Sequence, residues 1–193
     1  MTSNITDFLI KRRSTAKLSD PAPIKTDVKK IIQCAMSVPD HGGLRPYRFV
    51  VIDGDTRRLF AKAMVASTIA EKGDVTPAIE KKIEAKAFLA PMQIAIIFNP
   101  KIDCKIPEWE QFATASCTGY AITIAASSLG YESIWKSFGY SSAMPIIEFL
   151  KMNPREKFLG WINLGSRCPN PLLARQLPDT SKYCTYLGDE TSI

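Results

Sequence analysis

The run Met92-Gln93-Ile94-Ala95-Ile96-Ile97-Phe98 is almost wholly apolar and is fenced by Pro91 and Pro100. Eight residues between prolines suit a strand better than a helix, and a strand with so little polar character must be covered on both faces. Soon after, Glu108 to Leu129 reads as a long helix rich in Ala, Ser, Thr and Gly, with Gly130 placed to end it. Small side chains let another backbone approach closely. Such a helix belongs at the centre of a fold or along a subunit interface.

The remaining pattern adds helices faster than strands. Ile5, Phe8, Leu9 and Arg12 share one side of a helix over about 4–13. Thr26 is a suitable N-cap for a second helix, in which Val28, Ile31, Ile32, Ala35 and Met36 form an apolar stripe. Tyr47 to Ile52 reads as a strand. Further helices are expected from Thr56 to Ala70, from Pro77 to about Leu89 and from Met144 to Met152. Short strands are expected from Tyr131 to Ser137 and from Lys157 to Leu164, the latter closed by Gly165. Helices and strands do not alternate regularly, which predicts an α+β domain: a small sheet flanked by helices.

A length of 193 residues with no internal linker predicts a single domain over 1–193. The net charge is +6, but the cations are scattered and no RNA-binding aromatic motif is present, which argues against nucleic acid as a partner. No apolar run is long enough to span a bilayer, and the first residues do not read as a signal peptide. Five scattered cysteines fit a reducing, cytoplasmic setting. With one histidine and no zinc-ligand spacing, no metal site is expected.

Two short segments carry chemistry. Lys11-Arg12-Arg13-Ser14 closes the first helix with two guanidinium groups and a hydroxyl, a natural phosphate anchor. Cations there also suit the helix dipole, so Arg12 and Arg13 have a purely structural reading too. Pro39-Asp40-His41-Gly42-Gly43-Leu44-Arg45-Pro46-Tyr47-Arg48-Phe49 is a Gly/Pro loop that enters a strand. It carries the sole histidine and can bring backbone amides against a flat polar ring. His41 has a structural reading as a cap or a partner of a backbone carbonyl. Trp135 and Trp161 have one as core residues, and Glu108 and Glu110 as dipole partners. No nucleophile is paired with a base.

These two segments, at this spacing, resemble the nitroreductase family of flavin enzymes, and in particular its short bacterial branch of minimal-size NAD(P)H nitroreductases. Lys105 to Gln111, Ile134 to Ser137 and Leu159 to Gly165 also match, in order, so the resemblance runs from Asp7 to about Leu187. It implies a mostly antiparallel central sheet and a homodimer with FMN at the subunit interface. The stretch from about 166 to 193 would form an extended arm on the partner subunit. Arg12, Arg13, Ser14, Trp135, Lys136 and Ser137 would hold the flavin from one subunit, and Ser37 and His41 would reach it from the other. Ala125, Ala126, Ser127, Ser128, Leu129 and Gly130 match a stretch associated with the nicotinamide cofactor.

The implied activity is FMN-dependent reduction of nitroaromatic, quinone or similar electrophilic acceptors at the expense of NADH or NADPH. No Gly-x-Gly-x-x-Gly fingerprint is present, so donor and acceptor would alternate over one flavin face, a ping-pong scheme. The wider family often has a cation and an aromatic residue where this chain has Ala16 and Leu18, and Gln-Pro-Trp where it has Arg45-Pro46-Tyr47. Those departures motivate an alternative: a flavin-binding protein with a different reductive or flavin-storage role. The sequence does not settle NADH against NADPH: Arg45 and Arg48 could favour a 2′-phosphate, or equally be solvated surface cations.

Overall fold

The computed structural model describes residues 4–168 and 176–187. Its order is α1 (Ile5–Lys11), β1 (Leu18–Ser19), α2 (Lys25–Ala35), a 3-10 turn (His41–Gly43), β2 (Tyr47–Asp53), α3 (Thr56–Lys72) and α4 (Pro77–Glu84). It continues with a 3-10 turn (Ala85–Phe88), β3 (Met92–Phe98), α5 (Glu108–Ser128), β4 (Glu132–Lys136), α6 (Met144–Phe149), β5 (Lys157–Arg167) and a last 3-10 turn (Thr180–Lys182). The strands run β1-β5-β3-β2, with β4 also paired to β5, and every pair is antiparallel. This is the α+β arrangement expected from the sequence. No helix among the described residues is long and apolar enough to cross a membrane.

β3 lies in the middle, and all seven of its residues are buried. Its alternation sorts two cores. Ala95 and Ile97 join Ile52, Phe60, Met64, Ile146 and Trp161 on the side covered by α3, α4 and α6. Met92, Ile94 and Ile96 join Ile31, Ala35, Ile122 and Ala126 on the side covered by α2 and α5. The one polar member, Gln93, turns its Nε2 to the carbonyls of Ala87 and Ala90, at 2.9 and 3.1 Å. It thereby ties the strand to the turn that precedes it.

Several boundaries differ from expectation. Thr26 is not the N-cap: α2 starts at Lys25, two residues earlier than that cap implies, behind extended Ile24 and with no side-chain cap. α4 ends at Glu84, and the chain tightens into the 3-10 turn whose Ala87 carbonyl Gln93 holds. The helix at Met144 stops at Phe149, and Lys151 takes a positive φ of 50°. Gly165 does not end β5. It is a close-packing residue, since a Cβ there would meet Pro91 Cδ at 2.7 Å and the Ser19 carbonyl at 2.8 Å. Of the expected C-terminal arm, Pro169 and Pro171 lie outside the described residues. Tyr183, Tyr186 and Leu187 lie in the described part and are exposed on the single chain.

Candidate functional site

α1 is capped by Asn4, whose Oδ1 accepts the Thr6 N–H at 3.1 Å. It ends when Arg12 leaves helical geometry while its N–H still reaches the Phe8 carbonyl at 3.0 Å. The chain then runs beside β4. Thr15 donates its backbone N–H to the Ser133 carbonyl at 3.0 Å and its hydroxyl to Glu132 at 2.7 Å. This pins Arg12 and Arg13 at the rim of a cleft of about 480 Å³ that Ser127, Glu132 and Arg167 also line. Arg167 donates Nε to Glu132 Oε1 at 3.0 Å, so Glu132 spends its charge on a neighbour already in the cleft.

Arg12 has no such partner. Its Nη1 is buried and meets no hydrogen-bond acceptor among the described residues, while its guanidinium carbon lies 5.8 Å from the centre of the Tyr120 ring. A buried guanidinium donor left unpaired is costly, and an anion in the cleft removes that cost. The dipole reading of Arg12 therefore falls short of what the structure shows. Sequence reasoning missed Arg167, which lies 155 positions from Arg12 and carries no local signal, and also missed Glu132.

The other expected residues are spread along the same elements. Lys136 and Ser137 stand at the far end of β4 from Glu132, roughly 13 Å along a strand. Lys136 is half-buried and Ser137 exposed, as is Ser14. Trp135 gives its Nε1–H to the Leu159 carbonyl at 3.1 Å and lays its ring on Gly119 of α5. It is a packing residue that fixes β4, in keeping with its core reading. At Gly160, φ is 102°, and a Cβ would collide with the Lys136 carbonyl, so a glycine is needed where β4 and β5 meet here.

His41 sits on the other flank of α5. The Asp40 carboxylate gathers the loop by accepting the N–H groups of Leu44 and Arg45, at 3.2 and 2.7 Å. Thr114 of α5 holds it by donating to the Pro39 carbonyl at 3.0 Å. His41 Nδ1 meets Glu110 Oε2 at 2.9 Å, and the ring is largely exposed. Its partner is thus a carboxylate of α5, not the backbone carbonyl or helix cap that its structural reading offered.

Ser37 shares neither surface. It donates to the Cys34 carbonyl at 2.7 Å and borders a shallow depression with Ala125, Ser128 and Leu129. The expected nicotinamide stretch is divided. Ala125 and Ala126 are buried in the core between α5 and the sheet, with Ala125 also at the edge of the Ser37 depression. Ser127 lines the Arg12 cleft, Ser128 and Leu129 line the Ser37 depression, and Gly130 turns the chain with a φ of 85°.

Arg48 is not a solvated cation. Its Nε and one Nη grip the two Glu156 oxygens at 2.7 and 2.8 Å, and the same Nη reaches the carbonyls of Leu150 and Lys151. It is therefore occupied and does not await a 2′-phosphate. That grip holds the Glu156 carboxyl below its ordinary value, against the opposing effect of burial. The Tyr47 phenol is pushed up, by burial first and then by the Asp40 charge.

Fold and cleft together define a two-sided α+β domain with a cationic site where α1, α5, β4 and β5 meet. A sequence model described as the nitroreductase family matches residues 9–166, and the chain belongs to that family. Over 180 residues it is 31% identical to the Escherichia coli (strain K12) protein named "Putative NAD(P)H nitroreductase YdjA", covering 93% of this chain and 97% of that one. Among solved structures, a nitroreductase-like family protein from Bacillus cereus superposes with a TM-score of 0.79 at 21% identity, covering 97% of this chain and 98% of that one. An FMN-dependent nitroreductase from Clostridium difficile R20291 superposes at 0.66 and 24% identity, covering 94% and 98%.

Proposed function

We propose that this protein is an FMN-dependent oxidoreductase that draws on NADH or NADPH to reduce nitroaromatic, quinone or similar electrophilic acceptors. The observation that carries the reading is the buried, unpaired Nη1 of Arg12 beside Arg13 in an open cleft. A phosphate monoester is nearly a dianion at neutral pH, and arginine stays charged and can bind it bidentately. When bound, FMN supplies the hydride chemistry, and the protein supplies position and charge.

In this reading Arg12 and Arg13 hold the phosphate, with Ser14 and Ser127 as neutral donors beside it. Lys136 and Ser137, one strand length away, meet the polar edge of the ring. Ser37 and His41 serve the flavin of a second copy. The support for a homodimer is an apolar stripe left open on α5: Trp109, Phe112 and Tyr120 fall on one side of the helix and are 71%, 43% and 51% exposed. Ser166 and Arg167 belong to β5, so in this reading the arm on the second copy is the chain after that strand, with exposed Tyr183 and Leu187.

Steady-state oxidation of NADH and NADPH, measured at several acceptor concentrations, tests the reading. Parallel double-reciprocal lines are expected, with His41→Ala slowing turnover while the dimer persists. Intersecting lines with a trapped ternary complex contradict the alternating scheme. A purified protein that stays colourless with added FMN contradicts the whole reading.

A further inference from the structure

A second cleft, of about 610 Å³, stands apart from the Arg12 cleft. It lies under the loop from Asn99 to Pro107 that joins β3 to α5, and Lys101, Lys105, Arg155 and Lys157 line it against one carboxylate, Glu108. Glu108 is already paired with Lys157. Lys101, Lys105 and Arg155 have no carboxylate within ion-pair distance among the described residues. Glu156, the acid beside Arg155, is withdrawn into its bidentate grip with Arg48. Three cations without an ion pair among the described residues therefore share one concave surface, with Lys101 near enough to Glu156 to help hold that carboxyl low.

That surface is built rather than loose. Gln111 of α5 is 3% exposed and spans the base of the loop. Its Oε1 accepts the Lys101 N–H at 2.8 Å, and its Nε2 donates to the carbonyls of Lys101 and Ile106, both at 2.9 Å. The segment carrying Lys101 and Lys105 is thus held in shape before any ligand arrives, which lowers the ordering cost of binding. The cleft also adjoins His41. Ile106, one of its lining residues, packs so closely on Gly42 that a Cβ there would lie 2.7 Å from Ile106 Cδ1. Glu108 stands two residues before Glu110, the partner of His41.

We propose that this cleft binds the 2′-phosphate of NADPH and makes the enzyme prefer NADPH to NADH. The inference rests on the reading in which His41 borders a flavin. A nicotinamide on that flavin leaves the adenosine end of the dinucleotide to run outward along the protein, and the cationic cleft beside His41 is there to receive it. A 2′-phosphate is a monoester carrying close to two charges, which calls for more than one cation. Lysine and arginine on a preformed loop meet that demand.

The test uses the FMN-loaded protein, with Lys101→Gln/Lys105→Gln and Arg155→Gln as variants at partly or fully exposed positions. Calorimetric titration with adenosine 2′,5′-bisphosphate and with adenosine 5′-monophosphate reads the site without turnover. The bisphosphate is expected to bind about tenfold tighter or more, with that advantage lost in the variants and in high salt. The kcat/KM for NADPH is expected to fall by a similar factor while that for NADH holds. Equal loss for both donors assigns the cleft to the shared pyrophosphate and overturns the proposal, as does no change for either. A wild-type protein that binds no FMN, or oxidises neither donor, instead overturns the underlying reading of function.

Discussion

Arg12 and Tyr120 face each other across the junction of α1 and α5, guanidinium carbon to ring centre 5.8 Å, with Arg12 Nη1 buried and lacking an acceptor among the described residues. The aromatic face holds the cation in place without neutralising it. A guanidinium so placed is oriented and still available. Tyr120→Leu keeps the apolar body and removes the ring's attraction. A cation–π contact at a half-exposed site is worth about 0.5–1 kcal/mol, so FMN affinity by fluorescence titration is expected to fall about two- to fivefold.

Gly119 and Trp135 carry a packing prediction. A Cβ at Gly119 would lie 2.4 Å from Trp135 Cζ3, and the indole is anchored through Nε1 to the Leu159 carbonyl. Gly119→Ala must push the ring, and with it the strand that ends in Lys136. Overpacking of this kind costs about 1–3 kcal/mol, which in a chain of this size lowers Tm by several degrees. Thermal unfolding of the FMN-free protein reads the effect. An unchanged Tm contradicts the packing account.

The Arg48–Glu156 pair sets an acid limit. Glu156 is 3% exposed at its side chain and Arg48 31%. Because Arg48 lowers the folded-state pKa of Glu156 below its ordinary 4.5, the pair's contribution is complete above that value. It is lost as pH falls through the lower, folded-state value. Arg48→Ala leaves the carboxylate buried without its cation and is expected to cost about 3 kcal/mol at pH 7. The cost should shrink as the pH is lowered and the carboxyl takes up a proton, since a neutral carboxyl no longer needs the cation. Urea unfolding of both proteins at several pH values measures it.

The open stripe on α5 is the contact expected in the proposed homodimer. Trp109→Glu/Phe112→Glu places two charges in a surface now apolar, so light scattering is expected to give a monomer mass and the purified chain to carry less flavin. Deleting residues from Pro169 onward tests the arm separately. A stable, flavin-loaded dimer from the truncated chain contradicts a role for the arm.

β3 was legible because prolines bound a run with almost no polar residue, and α5 because its small-residue helix runs unbroken to Ser128, just before the turn at Gly130. β1 was not, since two residues before a proline carry no periodicity and the strand exists only by pairing with Ser166 and Arg167. The proposed phosphate anchor could be read from Arg12-Arg13-Ser14. Its surroundings could not: Arg167, Glu132 and Tyr120 reach it through pairing and packing across more than a hundred residues. The same distance effect left Arg48 undecided, whose partner Glu156 is 108 positions away, and hid Glu110 behind its helix-dipole role. Ala125 and Ala126 belong to a matching stretch, yet their helical phase turns them into the core.

The central claim is that Arg12 receives a flavin phosphate. FMN titrated into the apo protein, with fluorescence as the readout, tests it for the wild type and for Arg12→Ala. Charge-assisted hydrogen bonds of this kind are worth about 1.5–3 kcal/mol, so the variant is expected to bind FMN about ten- to hundredfold more weakly. Riboflavin, which lacks the phosphate, should bind both proteins alike. Equal FMN affinity in the two proteins contradicts the account.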